Sequence, residues 1–148
     1  MNAMKMALSL VAGLVMWSSM ELAGAQDQKA YKEGQVTEMS YIKVKPGKFN
    51  EYMTWLAGPY KQLMEANKKA GLIVGYAVYS ATARSPNDPD LILTTTYANM
   101  AALDRIEEGE ALAAKVMGSM AAQDKAFGER GSMRDLVGSE LVRELVLK

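Results

Sequence analysis

Leu72-Ile73-Val74-Gly75-Tyr76-Ala77-Val78-Tyr79-Ser80-Ala81-Thr82 runs through Ala83-Arg84-Ser85-Pro86-Asn87-Asp88-Pro89-Asp90 into Leu91-Ile92-Leu93-Thr94-Thr95-Thr96-Tyr97. Both flanks are rich in β-branched and aromatic residues, and Arg84 to Pro89 is turn chemistry. Two strands joined by a short loop, with no helix between them, must be antiparallel neighbours.

Before this pair, Val36, Thr37, Tyr41, Ile42 and Val44 cluster in a strand over 36–45 that stops at Pro46-Gly47. Phe49, Tyr52, Met53, Leu56, Tyr60, Leu63 and Met64 then recur at the i, i+3, i+4, i+7 spacing of one helical face. Gly58-Pro59 falls inside that helix and predicts a kink, because proline lacks the donor and crowds the preceding turn. Lys68 and Lys69 suit its last turn, and Gly71 suits its C-cap. After the pair, Asn99 caps a second helical region with a buried stripe of Leu112, Val116, Met120 and Phe127. Gly109, Gly118 and Gly128 predict breaks or close packing within it. Ser132-Met133-Arg134-Asp135 has the form of an N-cap and predicts a short helical turn as far as Val137. Leu141 to Leu147 alternates as a fourth strand. The order is β-α-β-β-α-β, an α+β arrangement of the ferredoxin-like type. It has a four-stranded antiparallel sheet with the helices on one face. The other face is left bare, yet both parities of the strands carry apolar or aromatic residues. A second sheet is its natural cover, which predicts a homodimer packed sheet on sheet.

Two segments carry a resemblance. Tyr41-Ile42-Lys43-Val44-Lys45-Pro46-Gly47-Lys48, a strand passing through Pro-Gly into an amphipathic helix, resembles the start of dimeric α/β-barrel proteins. Tyr97-Ala98-Asn99-Met100-Ala101-Ala102-Leu103-Asp104 resembles the entry to their second helix. The resemblance covers residues 36–148, and its motifs are structural. That superfamily includes stress-responsive barrel proteins, antibiotic-biosynthesis-type monooxygenases, NIPSNAP-like proteins and chlorite dismutases. It implies a homodimer with a lumen, or with a pocket between helices and sheet, and no single chemistry. Its histidine-dependent members are a poor match to a chain without histidine.

The 148 residues are 49% hydrophobic with 17 basic and 17 acidic side chains, which describes one folded domain without net charge. A nucleic-acid partner is not expected, since no basic excess exists. The absence of Cys and His removes thiol nucleophiles, Ser-His dyads, zinc fingers, iron–sulfur clusters and His-ligated haem. No cofactor or metal is expected. Lys5, the apolar run Met6 to Trp17, and small residues at Ala23 and Ala25 form a secretory signal peptide over 1–25. The apolar run is too short to span hydrocarbon, so no membrane association is expected after cleavage. The protein is expected to be exported, periplasmic or secreted. Residues 26–35 read as a flexible lead-in and 36–148 as the domain.

Without His and Cys, acid–base work falls to carboxylates, lysines and tyrosines. Glu144 lies among Leu141, Val142, Leu145 and Val146, where a carboxylate gains a raised pKa unless it is paired. It is the catalytic candidate, against the simpler account of a charge near an open strand end or a structural pair across a dimer. Arg143 beside it must point to the opposite face. Tyr41, Tyr76, Thr94 and Thr96 are candidates to orient a small, largely apolar ligand through hydroxyl groups, although such residues are also simply good strand formers. Trp55 flanks the first helix's apolar stripe and either lines a helix–sheet pocket or packs. A ligand is expected to be neutral or aromatic, because no cationic cluster is apparent on the strands. Three functions remain open: ligand binding without turnover, cofactor-independent monooxygenase-like or isomerase-like catalysis by Tyr and Glu groups, and a purely structural or interaction role.

Overall fold

The computed structural model describes residues 29–148. The expected signal peptide lies outside the described residues. Strand β1 (Tyr31–Val44) leads into a helix built from α1 (Phe49–Trp55), a π-helical turn (Leu56–Tyr60) and α2 (Lys61–Lys69). Strands β2 (Gly75–Ser80) and β3 (Leu91–Tyr97) follow. A 3-10 turn (Met100–Asp104), α3 (Ile106–Met117), α4 (Met120–Met133) and β4 (Arg134–Leu147) complete the chain. The sheet order is β2-β3-β1-β4, with every neighbouring pair antiparallel. This is the ferredoxin-like order that the Leu72–Tyr97 pair dictates.

The expected kink at Gly58-Pro59 takes the form of the π-helical turn, with Pro59 inside it. A widened turn accommodates the proline's missing donor and its ring without ending the helix. Gly71, at φ +68°, terminates the helix after Lys68 and Lys69, as its left-handed conformation allows. Asn99 accepts a hydrogen bond from the Ala102 N–H and opens the 3-10 turn.

Three boundaries differ from expectation. The lead-in 26–35 is ordered strand from Tyr31 onward, because Tyr31, Lys32 and Glu33 pair with Leu147, Val146 and Leu145 of β4. The Ser132 turn is absent. Its hydroxyl donates backward to the Glu129 carbonyl, and the chain is already in β4 at Arg134, opposite Val44. The stripe of the second helical region is not continuous either. Gly118 at φ +89° and the Ser119 cap break it, leaving Leu112 and Val116 half-buried but Met120 79% and Phe127 46% exposed.

The register separates the faces of the sheet. Val36, Glu38, Ser40, Ile42 and Val44 of β1 lie with Leu91, Leu93, Thr95 and Tyr97 of β3 on the helix side. There Ile42, Val44, Leu91, Tyr52, Leu56 and Met133 form the buried core. Thr37, Met39 and Tyr41 lie with Ile92, Thr94 and Thr96 on the uncovered side. At the far end β1 runs past β3, so residues 31–35 and the last residues of β4 form a two-stranded ribbon.

Candidate functional site

The uncovered face collects four of the seven residues that the sequence singled out. Tyr41, Thr94 and Thr96 lie on it by register, and so does Glu144, which lies against Gly34 in a β-bulge. Tyr41 donates a short hydrogen bond to Glu140, the residue opposite Met39. That bond, with lesser contributions from burial and the Glu140 charge, raises the Tyr41 pKa. Thr96 shares a hydrogen bond of 3.1 Å with Thr37. Thr94 is buried between its cross-strand partners Met39 and Ala77. Tyr41, Ile92, Val137 and Gly138 also wall a cavity of about 420 Å³ closed at one end by the loop at Arg84, Asp88 and Pro89.

The remaining candidates lie elsewhere. Tyr76 is on the helix side, its hydroxyl donating to Glu65 at 2.7 Å and its ring set edge-on against Tyr60. Trp55 packs between Tyr52 and Tyr60. Arg143 takes the opposite face to Glu144, as alternation requires, and donates to Glu33 at 2.7 Å. The candidates of the sequence therefore do not form one constellation. Glu144 and Arg143 stand at the ribbon, away from the cavity at Tyr41.

A second space lies between helices and sheet. Met64, Leu72, Ile73, Leu103 and Ile106 supply apolar walls to a groove of about 340 Å³, with Glu38, Thr95, Tyr97 and Arg105 at its polar edges. Arg105 is already engaged: it donates to both oxygens of Glu108 at 2.8 and 2.7 Å and to the Gly71 carbonyl at 2.8 Å. Tyr97 donates to Glu38 at 3.4 Å. Burial first, then the Glu38 charge, raises its pKa, so the phenol stays neutral. The sequence reading missed Met64, Leu72, Leu103 and Ile106 as one wall. They come from three separate elements and share no local spacing.

Beside this groove Arg130 and Arg134 line a smaller cavity of about 130 Å³ together with Tyr60 and Thr95. The expectation named only the strands as lacking a cationic cluster, and of these two arginines only Arg134 belongs to one. Arg130 stands in the last turn of α4 and Arg134 opens β4, four positions on, where helix passes directly into strand, and both line the cavity. Burial pushes the Tyr60 phenol up to about 12. Burial, and then the neighbouring Arg134 charge, lowers the Arg130 pKa. Among the described residues no group of three Asp, Glu, His or Cys residues converges as a metal ion would require, and no helix is long and apolar enough to cross a membrane.

No protein-family model matches the sequence, and no curated protein matches it. Among solved structures, HapK of Hahella chejuensis superposes with a TM-score of 0.50 at 12% identity, over 74% of this chain and 91% of its own. The fold is ferredoxin-like. Further matches include a dimeric ferredoxin-like protein from an uncultured marine organism, with a TM-score of 0.49 at 6% identity over 79% of this chain and 90% of its own. Another is a Chloroflexus aurantiacus protein provisionally named an antibiotic biosynthesis monooxygenase, with a TM-score of 0.42 at 15% identity over 74% and 92%. Identities this low speak for a shared fold and not for a shared chemistry.

Proposed function

We propose that the chain is an exported homodimer that binds a small, largely apolar molecule in the groove between the α2–α3 side of the helix layer and the sheet. The observation that carries this reading is the groove itself. Its volume falls within the ~300–1,000 Å³ typical of small-molecule sites, and its walls are mainly apolar with a few polar edges. The sheet and helices of one chain bound it, so it is formed before any partner arrives. The uncovered face supports the dimer. Val137, Val142 and Val146 are each at least 40% exposed on an edge strand, a length of apolar strand that soluble proteins normally cover. The charged start, short apolar run and Ala23-Gly24-Ala25 support export.

Native mass spectrometry of the exported protein, purified from its own source, tests the reading. It should show a dimer whose chains begin at Gln26 and carry a small organic molecule. A dimer without bound mass, whose groove also takes up no apolar probe, would overturn the ligand-binding part. A catalytic reading draws on one observation, the Tyr41–Glu140 hydrogen bond at the mouth of the other cavity, where a phenol and a carboxylate could pass a proton. If that reading holds, Tyr41→Phe removes turnover and leaves groove binding intact.

A further inference from the structure

Arg134 lines the 130 Å³ cavity, and its Nη1 is buried without a hydrogen-bond partner among the described residues. Arg130 lines the same cavity, its guanidinium held between the rings of Trp55, at 5.6 Å from the ring centroid, and Phe127, at 4.9 Å. Neither arginine has an ion pair among the described residues, where seven other pairs occur. Two cations thus converge where buried polar groups should be paired. Unpaired, each such group bears the cost of desolvation. Glu38 is the one acid lining the cavity. It already accepts from Tyr97 and leaves a net positive charge.

The cavity adjoins the apolar groove. Glu38 and Thr95, cross-strand partners on β1 and β3, line both and form the sill between them. The smaller cavity has the volume of about four water molecules at ~30 Å³ each, enough for a polar head but not for a whole ligand. We propose that the groove's ligand is a carboxylic acid, its carboxylate held by Arg130 and Arg134 and its apolar body laid over Thr95 into the groove. The inference rests on the groove being the binding site. A planar carboxylate matches the guanidinium fork in two parallel hydrogen bonds, which a lysine could not offer.

The test uses the exported chain beginning at Gln26, in which Trp55 is the sole indole and reports on the cavity through its contact with Arg130. Octanoate should change the Trp55 fluorescence saturably and bind roughly tenfold to a hundredfold more tightly than octanol, the range expected for hydrogen bonds to a charged group. Arg130→Gln and Arg134→Gln should each remove most of that difference and leave octanol binding unchanged. Arg134→Lys keeps the charge but not the planar fork, so it should fold even if the glutamine variants do not, and it should weaken octanoate about threefold to tenfold. Equal binding of octanoate and octanol would overturn the carboxylate subsite and leave the groove standing. Binding of neither would overturn both. Inorganic phosphate displacing octanoate at equal or lower concentration would overturn the assignment to carboxylate.

Discussion

Tyr52 is fully buried beneath the sheet, and its hydroxyl has no partner among the described residues. Leaving a buried hydroxyl unpaired costs about 1–3 kcal/mol. Tyr52→Phe should therefore unfold at the same or a higher denaturant concentration than the wild type. A clear loss of stability would show that the hydroxyl has a partner after all. At the β2–β3 loop, Asp90 accepts from the Lys43 ammonium at 3.0 Å and from the Val44 N–H at 2.9 Å. Burial alone would raise its pKa; the Lys43 and Val44 hydrogen bonds and the Lys43 charge outweigh burial and hold it below the usual carboxylate value. The Arg84 N–H, then the Ser85 hydroxyl, with the Ser85 N–H and the Arg84 charge adding to them, hold Asp88 down in the same way. For a depressed carboxylate, stability is complete above the ordinary value of about 3.9 and is lost as pH falls through the lower folded value. Thermal melts should show the wild type losing its advantage over Asp90→Asn below about pH 4. An advantage that persists through acid would refute that pairing. The sequence marked Tyr41 and Glu144 by residue type alone. It could not show that Tyr41 meets Glu140, because a diagonal cross-strand neighbour is known only once register is known.

The elements were legible wherever one local signal dominated. β-Branched and aromatic content bounded by Pro-Asn-Asp turn chemistry set the expected limits of β3, and Pro59 announced an irregular turn. Signals failed where tertiary pairing decided. Tyr31 to Gln35 are polar and contain a glycine, yet they are strand because β4 is long enough to pair with them. Gly34 belongs to this ribbon. A Cβ placed there would lie 2.6 Å from a Glu144 carboxylate oxygen and 3.0 Å from its Cβ. Alanine ordinarily stabilises a strand relative to glycine by about 0.5–1 kcal/mol. Here Gly34→Ala should destabilise the chain by displacing Glu144. In a Glu144→Gly background, which removes the Cβ as well as the carboxylate, the same change should become stabilising, and a double-mutant cycle by chemical denaturation reads the reversal. Additive effects would remove Glu144 from that bulge.

For the whole molecule, the bare sheet face was legible from strand parity, and the groove was not. The bare face follows from counting apolar residues on both sides of each strand. The groove requires knowing how α2, β3 and α3 sit together, which no spacing encodes. The same holds for Arg130 and Arg134, whose meeting depends on where α4 ends and β4 begins. What the uncovered face demands is a cover. It carries Met39, Tyr41, Ile92 and Val142, and its edge strand β4 exposes Val146 on the ribbon. Two such sheets packed about 10 Å apart would bury these side chains in a shared core. A stable homodimer should bury on the order of 2,000 Å². Val142→Asp would place a charge in that core and should drive dissociation.

Sedimentation equilibrium of the wild-type chain at micromolar concentration tests this most directly. The account predicts the mass of a dimer, falling toward that of a single chain in the Val142→Asp variant. A wild type that sediments as a single chain would contradict it.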